Sequence, residues 1–428
     1  MIERYRVADE LHLWWLGDPA KPVFVGTLRL LHTTRGVSLQ YGDAWLRHGF
    51  ALSEDLPLTD LEHQPVQRDT AAGAVDDARP DRWGERVIRF LDKPPRLSLL
   101  EYLYFAGDER FGALGVSTSG EQYVPQPTAS LPTLRDVDEM HELVRKVLDN
   151  EPIAEAKRRL IAPGTTLGGA RPKALMDMSG SQWVVKFADP GDPTDAGLVE
   201  HACMTLAAQA GIRVAETRAI RLLDGHALAV LRFDRQGSGP GSKRLHAQSA
   251  HVALRAEGTQ PGYPELAQLL RRRAPVQGGA ARRQMQELHR RMVFNILMDN
   301  TDDHEKNHAL LMNDNQHLLL APAFDVLPTA QGLGYQQLRV GKDGAESTLE
   351  NARSEAASFG LSPSEAHTQT AQVATVCSRW KEHFAEAGVS TDDIEYLAHF
   401  VDREFLKDQR DELAARSARR PKPGSRKR

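Results

Sequence analysis

Cysteine is scarce in these 428 residues, with Cys203 and Cys377 the whole complement. They lie far apart and have no CxxC or Cys/His companion, which leaves neither a disulfide framework nor a structural zinc site. Long apolar runs are missing too. Nothing approaches the roughly 18 residues needed to span a bilayer, and MIERYRVADELHLWWLG alternates charge with apolar residues where a signal peptide would be continuously apolar. The expectation is a cytoplasmic protein in a reducing compartment, with no membrane partner. The shortage of apolar residues that marks disordered chains is not found either, at 41% hydrophobic and 26% charged residues. At about 150 residues per domain the length predicts two or three domains, and no internal repeat is present.

The net charge of −4 excludes a polyanion binder across the whole surface, yet it hides a segregated tail. Seven Lys or Arg lie from Arg416 to Arg428 with no acid among them, leaving 47 basic against 58 acidic residues, or −11, elsewhere. A solvated, disordered end and a phosphate-binding arm both fit residues 416–428.

The pattern along the chain predicts four parts. Residues 1–125 open with short strands, LHLWWLG, VFVGTLRLLH and GVSLQYGDAWL, punctuated by Gly26, Gly36 and Gly42. A helix around Trp83 to Leu91 and a Gly-bounded turn from Gly107 to Gly115 follow. Residues 126–235 begin with a helix whose Val137, Met140, Leu143, Val144 and Val147 stand at helical spacing. GTTLGGARPKALMDMSGSQWVVKF then reads as a hairpin with a Gly-rich bend, in which Trp183, Val185 and Phe187 share one face and Val184 and Lys186 the other. A helix from about Ala196 to Ala210, stopped by Gly211, precedes a strand pair joined at Asp224-Gly225. Residues 236–415 are mostly helical except for 300–330, and 416–428 form the tail.

Chemistry concentrates in MQELHRRMVFNILMDNTDDHEKNHALLMNDNQHLLLAPAFDVLP. Met285, Leu288, Met292 and Ile296 stripe a helix that delivers its C-terminal end into the polar loop Asn300 to Asn307. Asp302 and Asn307 are five apart, the D-x-x-x-x-N spacing of a kinase catalytic loop, and Asp325 in Phe324-Asp325-Val326 supplies a second carboxylate for Mg²⁺. Phosphoryl transfer needs this set, since a metal must neutralise phosphate charge while a fixed carboxylate aligns the attacking hydroxyl. An Asx-rich surface turn explains the same loop without function. A calcium loop does not, because D-x-[DN]-x-[DN]-G with a distal Glu is not found. His304 either orients the loop or reaches a ligand, and Mg²⁺ prefers oxygen.

The second constellation is Gly164, Thr165, Thr166, Leu167, Gly168 and Gly169, followed by Lys173. Its glycines let backbone N–H groups approach phosphate, but the order matches neither common phosphate-loop motif, and a flexible turn fits as well. Lys186 on the following strand would pair with nucleotide phosphates and Glu200 on the next helix would hold its ammonium; a solvated strand lysine and helix acid are the plain alternatives. What favours a kinase is the order: Gly-rich turn, strand Lys, helix Glu, hairpin, D-x-x-x-x-N, apolar-Asp-apolar.

Over nearly its whole length the chain resembles the HipA-family serine/threonine kinases, toxins of bacterial toxin–antitoxin pairs. The matching pieces are VGTL, FALSEDLPL, DDARPDRWGERVI, GDERFGALG, GTTLGGARPK, WVVKF, LRFDR, NTDDHEKN and APAFDV. The resemblance implies an α+β, two-lobed protein-kinase-like fold with an N-terminal β-rich subdomain and a large helical C-terminal lobe. It implies ATP and Mg²⁺ as cofactors, Asp302 as catalytic acid-base residue, Asn307 and Asp325 as magnesium ligands, and Lys186 and His304 at the nucleotide. Leu231 and Phe233 fall where the family's hinge meets adenine. The family silences itself by phosphorylating a serine in the Gly-rich loop, where this chain has Thr166, whose β-branching restricts its rotamers. Asp303 replaces a glycine common in relatives.

The resemblance further implies a HipB-like helix-turn-helix antitoxin, operator DNA reached only through that partner, and a protein substrate in translation such as an aminoacyl-tRNA synthetase. Two rivals share the same nucleotide apparatus: an inactive corepressor partner of a DNA-binding protein, and a kinase for a small molecule.

Overall fold

The computed structural model describes residues 5–126, 130–161, 169–237, 239, 241–256 and 258–418, with backbone alone from 414. The chain forms two compact units, one of residues 1–190, 220–259 and 309–316, the other of 191–219, 260–308 and 317–428. The basic residues 419–428 lie outside the described residues.

The first unit opens with β1 (Glu10–Trp15), β2 (Val23–Leu31) and β3 (Gly36–Tyr41), joined by β4 (Glu62–His63) and β5 (Leu114–Ser117) in a sheet ordered β4-β3-β2-β1-β5. Alternation turns Leu11 and Leu13 of β1 inward, a β-bulge at Val25 lets β2 bury Val25 as well as Leu28, and all four join Leu100 and Leu103 in one core. In VGTL, Gly26 has a structural reason: a Cβ there would lie 2.2 Å from the Gln40 carbonyl oxygen on the neighbouring strand. The sequence pattern extends the third strand into GDAWL, whereas the structure turns Asp43–His48 into helix α1, with Trp45 buried and Asp43 in its first turn.

Helix α2 (Arg82–Leu91) is capped by Asp81, whose side chain accepts from the Gly84 N–H; α3 (Leu99–Phe105) leads to β5. Helix α4 (Val137–Asp149) buries the predicted stripe Val137, Met140, Leu143, Val144 and Val147. It packs with Trp83 and Val87 of α2 against the inner face of a second sheet. That sheet is ordered β6 (Lys173–Met178), β7 (Ser181–Lys186), β9 (His226–Leu231), β8 (Thr217–Arg221), the last entering the unit at Ile220. Trp183, Val185 and Phe187 are buried on that face, while Val184 and Lys186 on the other are half-buried. The bend of the β6–β7 hairpin is Ser179-Gly180, both at positive φ, the two-residue turn that matches strand twist. The Gly-rich stretch precedes the hairpin.

The second unit is helical: α5 (Ala196–Gln209), α7 (Tyr263–Arg273) and α8 (Ala280–Leu297), with α6 (Ala250–Ala256) belonging to the first unit. Gly211 at φ 78° follows the end of α5 as predicted. Helices α9 (Leu349–Ser354), α10 (Pro363–Cys377), α11 (Trp380–Glu386), α12 (Thr391–Val401) and α13 (Glu404–Ala418) complete it, α10 packing on α8 and α13. Irregular backbone persists to Thr348, beyond the expected 330. Arg339 braces this stretch by ion pairs to Glu265 and Glu355, each 2.6 Å. Among the described residues no helix is long and apolar enough to cross a membrane.

Candidate active site

Helix α8 buries Met285, Leu288, Met292 and Ile296 as its stripe predicts, so the loop after it is placed by packing. The turn begins at Asp299, a non-glycine residue at φ 53°. Its buried carboxylate accepts from Arg403 at 2.7 Å and from the Gly332 N–H at 3.3 Å. Its carbonyl accepts from the Thr329 N–H at 3.1 Å. These bonds compensate a conformation that L-residues avoid.

Beyond it, neighbours take opposite fates: Asp302 is exposed, as an acid that must meet an acceptor requires, while Asp303 is 3% exposed. Asn307 is buried, its backbone N–H donating to the His304 carbonyl at 2.9 Å and its amide Nδ2 to the Asp302 carbonyl at 3.3 Å. The predicted D-x-x-x-x-N pair thus spans one short loop.

Asp325 sits in the same unit, half-buried and at φ 59°. Its segment is registered by Ala323, which exchanges backbone hydrogen bonds with Arg213 and Ala215 at 2.8 and 2.9 Å. Partial desolvation of its exposed side chain raises the Asp302 pKa, His304 opposes that rise, and the carboxylates of Asp325 and Asp303 add to it. Asp302 and Asp325 therefore share one field, and repulsion between them is what a divalent cation relieves. Two carboxylates and an amide form a hard-oxygen set suited to Mg²⁺, which commonly takes one or two protein carboxylates and fills its shell with water and phosphate. Among the described residues no group of three or more His, Cys, Asp or Glu side chains would hold a metal unaided.

In the first unit, Lys186 ends β7, half-buried and opposite Lys173 in register. Of the Gly-rich loop, Gly164, Thr165, Thr166, Leu167 and Gly168 lie outside the described residues; Gly169 is at φ 88°. Leu231, at the end of β9, pairs with Trp183. Phe233 meets Phe111 of the Gly107–Gly115 turn edge-on, with ring centroids 5.8 Å apart. Asp234 is a structural ion-pair residue, buried between Arg232 at 2.8 Å and Arg235 at 2.6 Å and accepting from the Gly112 N–H. Those guanidiniums hold its carboxyl far below the usual range against the opposing effect of burial. Glu200 is buried on α5 in the second unit.

Two arrangements escaped sequence reasoning. Lys173, the last residue of GTTLGGARPK, is buried, donating to the Asp81 carboxylate at 2.7 Å and to the Gly169 carbonyl at 3.0 Å. Trp83 adds an indole N–H to the Lys173 carbonyl at 2.7 Å. Lys173 thus anchors one end of the Gly-rich loop to the cap of α2. Both motifs are visible in the sequence, but nothing in either names the other as its partner. Asp303 is the second: it accepts from His308 at 2.9 Å and from Tyr263.

Family comparison matches residues 20–117 to the HipA N-terminal domain and residues 165–380 to the HipA-like C-terminal domain. The chain is 30% identical over 166 residues to a protein of Sinorhizobium fredii (strain NBRC 101917 / NGR234) described as putative kinase Y4dM. That match spans 35% of this chain and only 38% of the relative. Among solved structures, HipA of Shewanella oneidensis MR-1, in complex with HipB and its operator DNA, has a TM-score of 0.64 at 20% identity. The match covers 94% of this chain and 99% of that one. The Helicobacter pylori proinflammatory kinase CtkA gives 0.44 at 14% identity, over 59% of this chain and 94% of that one. With the C-terminal domain alone covering half its residues, the chain belongs to the HipA family and has that family's α+β, two-lobed protein-kinase-like fold.

Proposed function

We propose that the chain is an ATP- and Mg²⁺-dependent serine/threonine protein kinase, the growth-inhibiting toxin of a toxin–antitoxin pair. One observation carries the reading: a single unit brings together the exposed Asp302, the buried Asn307 and the left-handed Asp325, with the two carboxylates electrostatically coupled. In this role Asp302 accepts a hydrogen bond from the substrate hydroxyl and aligns its oxygen for in-line attack. Asn307 and Asp325 would hold Mg²⁺, which when bound neutralises charge on the transferring phosphoryl group. His304, in the same loop as Asp302, would touch the nucleotide. Lys186 would pair with its phosphates, beside backbone N–H groups of residues 164–169, while Leu231 and Phe233 would line the adenine. Thr166 would be the autophosphorylation site, its phosphate adding up to about two negative charges to a loop that cradles phosphate.

The partner reading draws on the Shewanella protein, which is complexed with HipB and operator DNA. A HipB-like antitoxin would bind this chain in the cytoplasm and carry it to DNA. The substrate would be a translation component such as an aminoacyl-tRNA synthetase.

The test is transfer from γ-labelled ATP to a cell lysate, with phosphoproteomics comparing induced wild type and Asp302→Ala. Serine or threonine phosphopeptides that vanish in the variant support the reading. No transfer by wild type refutes it in favour of an inactive corepressor, and label only in small molecules refutes the protein substrate.

A further inference from the structure

The catalytic loop carries a second pairing, shifted by one residue from the first. Asp302 and Asn307 are the functional pair; Asp303 and His308, each the next residue along, are joined by a 2.9 Å contact between His308 Nε2 and Asp303 Oδ2. Both are buried, at 3% and 2% exposure. The contact ties together the residues that follow Asp302 and Asn307 and so restrains the two ends of the loop. The Asn307 to Asp302 carbonyl bond spans the same loop one step nearer the solvent.

The base is fixed from outside the loop as well. Tyr263, fully buried at the start of α7, donates its hydroxyl to the same Oδ2 of Asp303 and stacks edge-on with the His308 ring, centroids 5.5 Å apart. Asn295 of α8 donates to the Tyr263 oxygen at 3.2 Å, and Asn300 donates to Asn295 at 3.1 Å. Helix α7 and the end of the loop therefore reach that carboxylate oxygen directly, and α8 and the start of the loop join the network through Tyr263. A void of about 10 Å³ beside this cluster is lined by Asp303, Asn307 and His308 on one side and by Phe324 and Val326, the neighbours of Asp325, on the other. The cluster thus shares this void with Asn307 and with the residues on either side of Asp325, and Asp303 follows Asp302 directly in the chain.

We infer that Tyr263, Asp303 and His308 form a buried positioning brace that fixes Asp302 relative to Asn307 and so sets the turnover of the kinase. The inference rests on the kinase reading for its activity arm. Both donors converge on one buried oxygen, and although His308 Nδ1 has no partner among the described residues, hydrogen bonds in a buried network rigidify the groups they join, and close placement of a catalytic group governs rate. All three are buried, and none is assigned to the substrate or the nucleotide.

The chemistry of the cluster dictates the variants. Both donors reach the same oxygen, so Asp303→Asn keeps an acceptor for each, whereas Asp303→Ala removes both bonds to it and Tyr263→Phe removes one of them together with the bond Asn295 donates to the Tyr263 oxygen. Hydrogen exchange of residues 299–308 in the full-length protein without nucleotide, followed by mass spectrometry, reads the loop directly. Steady-state phosphotransfer reads its consequence. The expected result is exchange about tenfold faster in Asp303→Ala and severalfold faster in Tyr263→Phe, with Asp303→Asn near wild type. The kcat values should fall in the same order, with KM for ATP within about twofold, because Tyr263, Asp303 and His308 are buried and none is among the residues proposed to hold the nucleotide.

Should Asp303→Ala not fold, Tyr263→Phe, which keeps the ring, decides alone. Wild-type exchange and kcat in folded variants would overturn the brace, as would Asp303→Asn behaving like Ala. A wild type that transfers no phosphate would refute the kinase instead, and the exchange order would still decide whether the brace exists.

Discussion

The buried pair Lys173–Asp81 gives the most quantitative test of how the Gly-rich loop is anchored. Their side chains are 1% and 9% exposed and 2.7 Å apart. Replacing Lys173 by Met keeps the length of the side chain and removes the charge. The Asp81 carboxylate is then left buried with only backbone N–H partners, Gly84 among them at 2.7 Å. Removing one member of a buried pair destabilises by about 3–5 kcal/mol. At about 2–4 °C per kcal/mol, a scale drawn from somewhat smaller proteins, the melting temperature should fall by roughly 6–20 °C. Burial already raises the Asp81 pKa against the pull of Lys173, and the variant loses that pull. A carboxyl whose folded pKa is raised costs stability increasingly as pH climbs, so the deficit should be larger at pH 8 than at pH 5.

The assay is urea unfolding of the full-length protein at both pH values, with the double variant Lys173→Met/Asp81→Asn alongside. Asn retains the helix cap and has no charge to leave unpaired, so the double variant should recover most of the loss. A deficit under about 1 kcal/mol for Lys173→Met would refute the buried-pair energetics. Additive losses in the double variant would refute the coupling between the two residues.

Three groups of variants extend the reasoning to the site and to pH. Asp302→Asn should lower phosphotransfer by at least about a thousandfold yet keep the stabilisation conferred by ATP with Mg²⁺. That stabilisation is about 2.7 kcal/mol at a hundredfold excess over Kd and is read as a thermal shift. Asp325→Asn should lose both, and an unchanged shift would remove it from the metal set. His246 and His289 are fully buried, and desolvation lowers each pKa to about 4. Their neutral forms favour the fold above an unfolded pKa of about 6.5, and that stability is lost as pH falls from about 6.5 toward 4, by about 2 kcal/mol each at pH 5. Denaturation at pH 7.5 and 5.0 measures this, and His246→Gln should flatten the dependence; an unaltered slope would count against it.

Much of the fold was legible because its signals are local. The stripes of α4 and α8, the alternation of β7 and the Asp224-Gly225 turn each depend on residues within about a dozen positions of one another. Where the reading slipped, competing local chemistry was present: Ser179-Gly180 is a better hairpin turn than the Gly-rich stretch beside it, and Asp43 begins a helix where alternation seemed to continue. The D-x-x-x-x-N loop could be found from spacing alone. Its support could not, since Tyr263 lies 40 residues before Asp303 and Asp81 lies 92 before Lys173. Such pairs are fixed by the path of the chain, which no short window encodes. Asp303 did stand out as a departure from the family's glycine, and the brace explains what its side chain does.

Two aspartates in the second unit occupy backbone conformations that glycine would adopt without strain, Asp299 at φ 53° and Asp325 at φ 59°. Each forgoes about 1 kcal/mol or more, so each side chain must offer something glycine cannot. For Asp299 the return is structural, an ion pair with Arg403 and a bond to the Gly332 N–H. Asp299→Gly should therefore lose about 1–3 kcal/mol despite the relieved backbone. Asp325 instead brings a carboxylate into the field of Asp302, which raises the pKa of that residue further. A strained residue that also adds like charge is what a metal ligand would be, so Asp325→Gly should lose phosphotransfer together with the thermal shift that Mg²⁺ adds to ATP. Phosphotransfer that survives in Asp325→Gly would take its carboxylate out of the metal set, whatever the substitution does to unfolding.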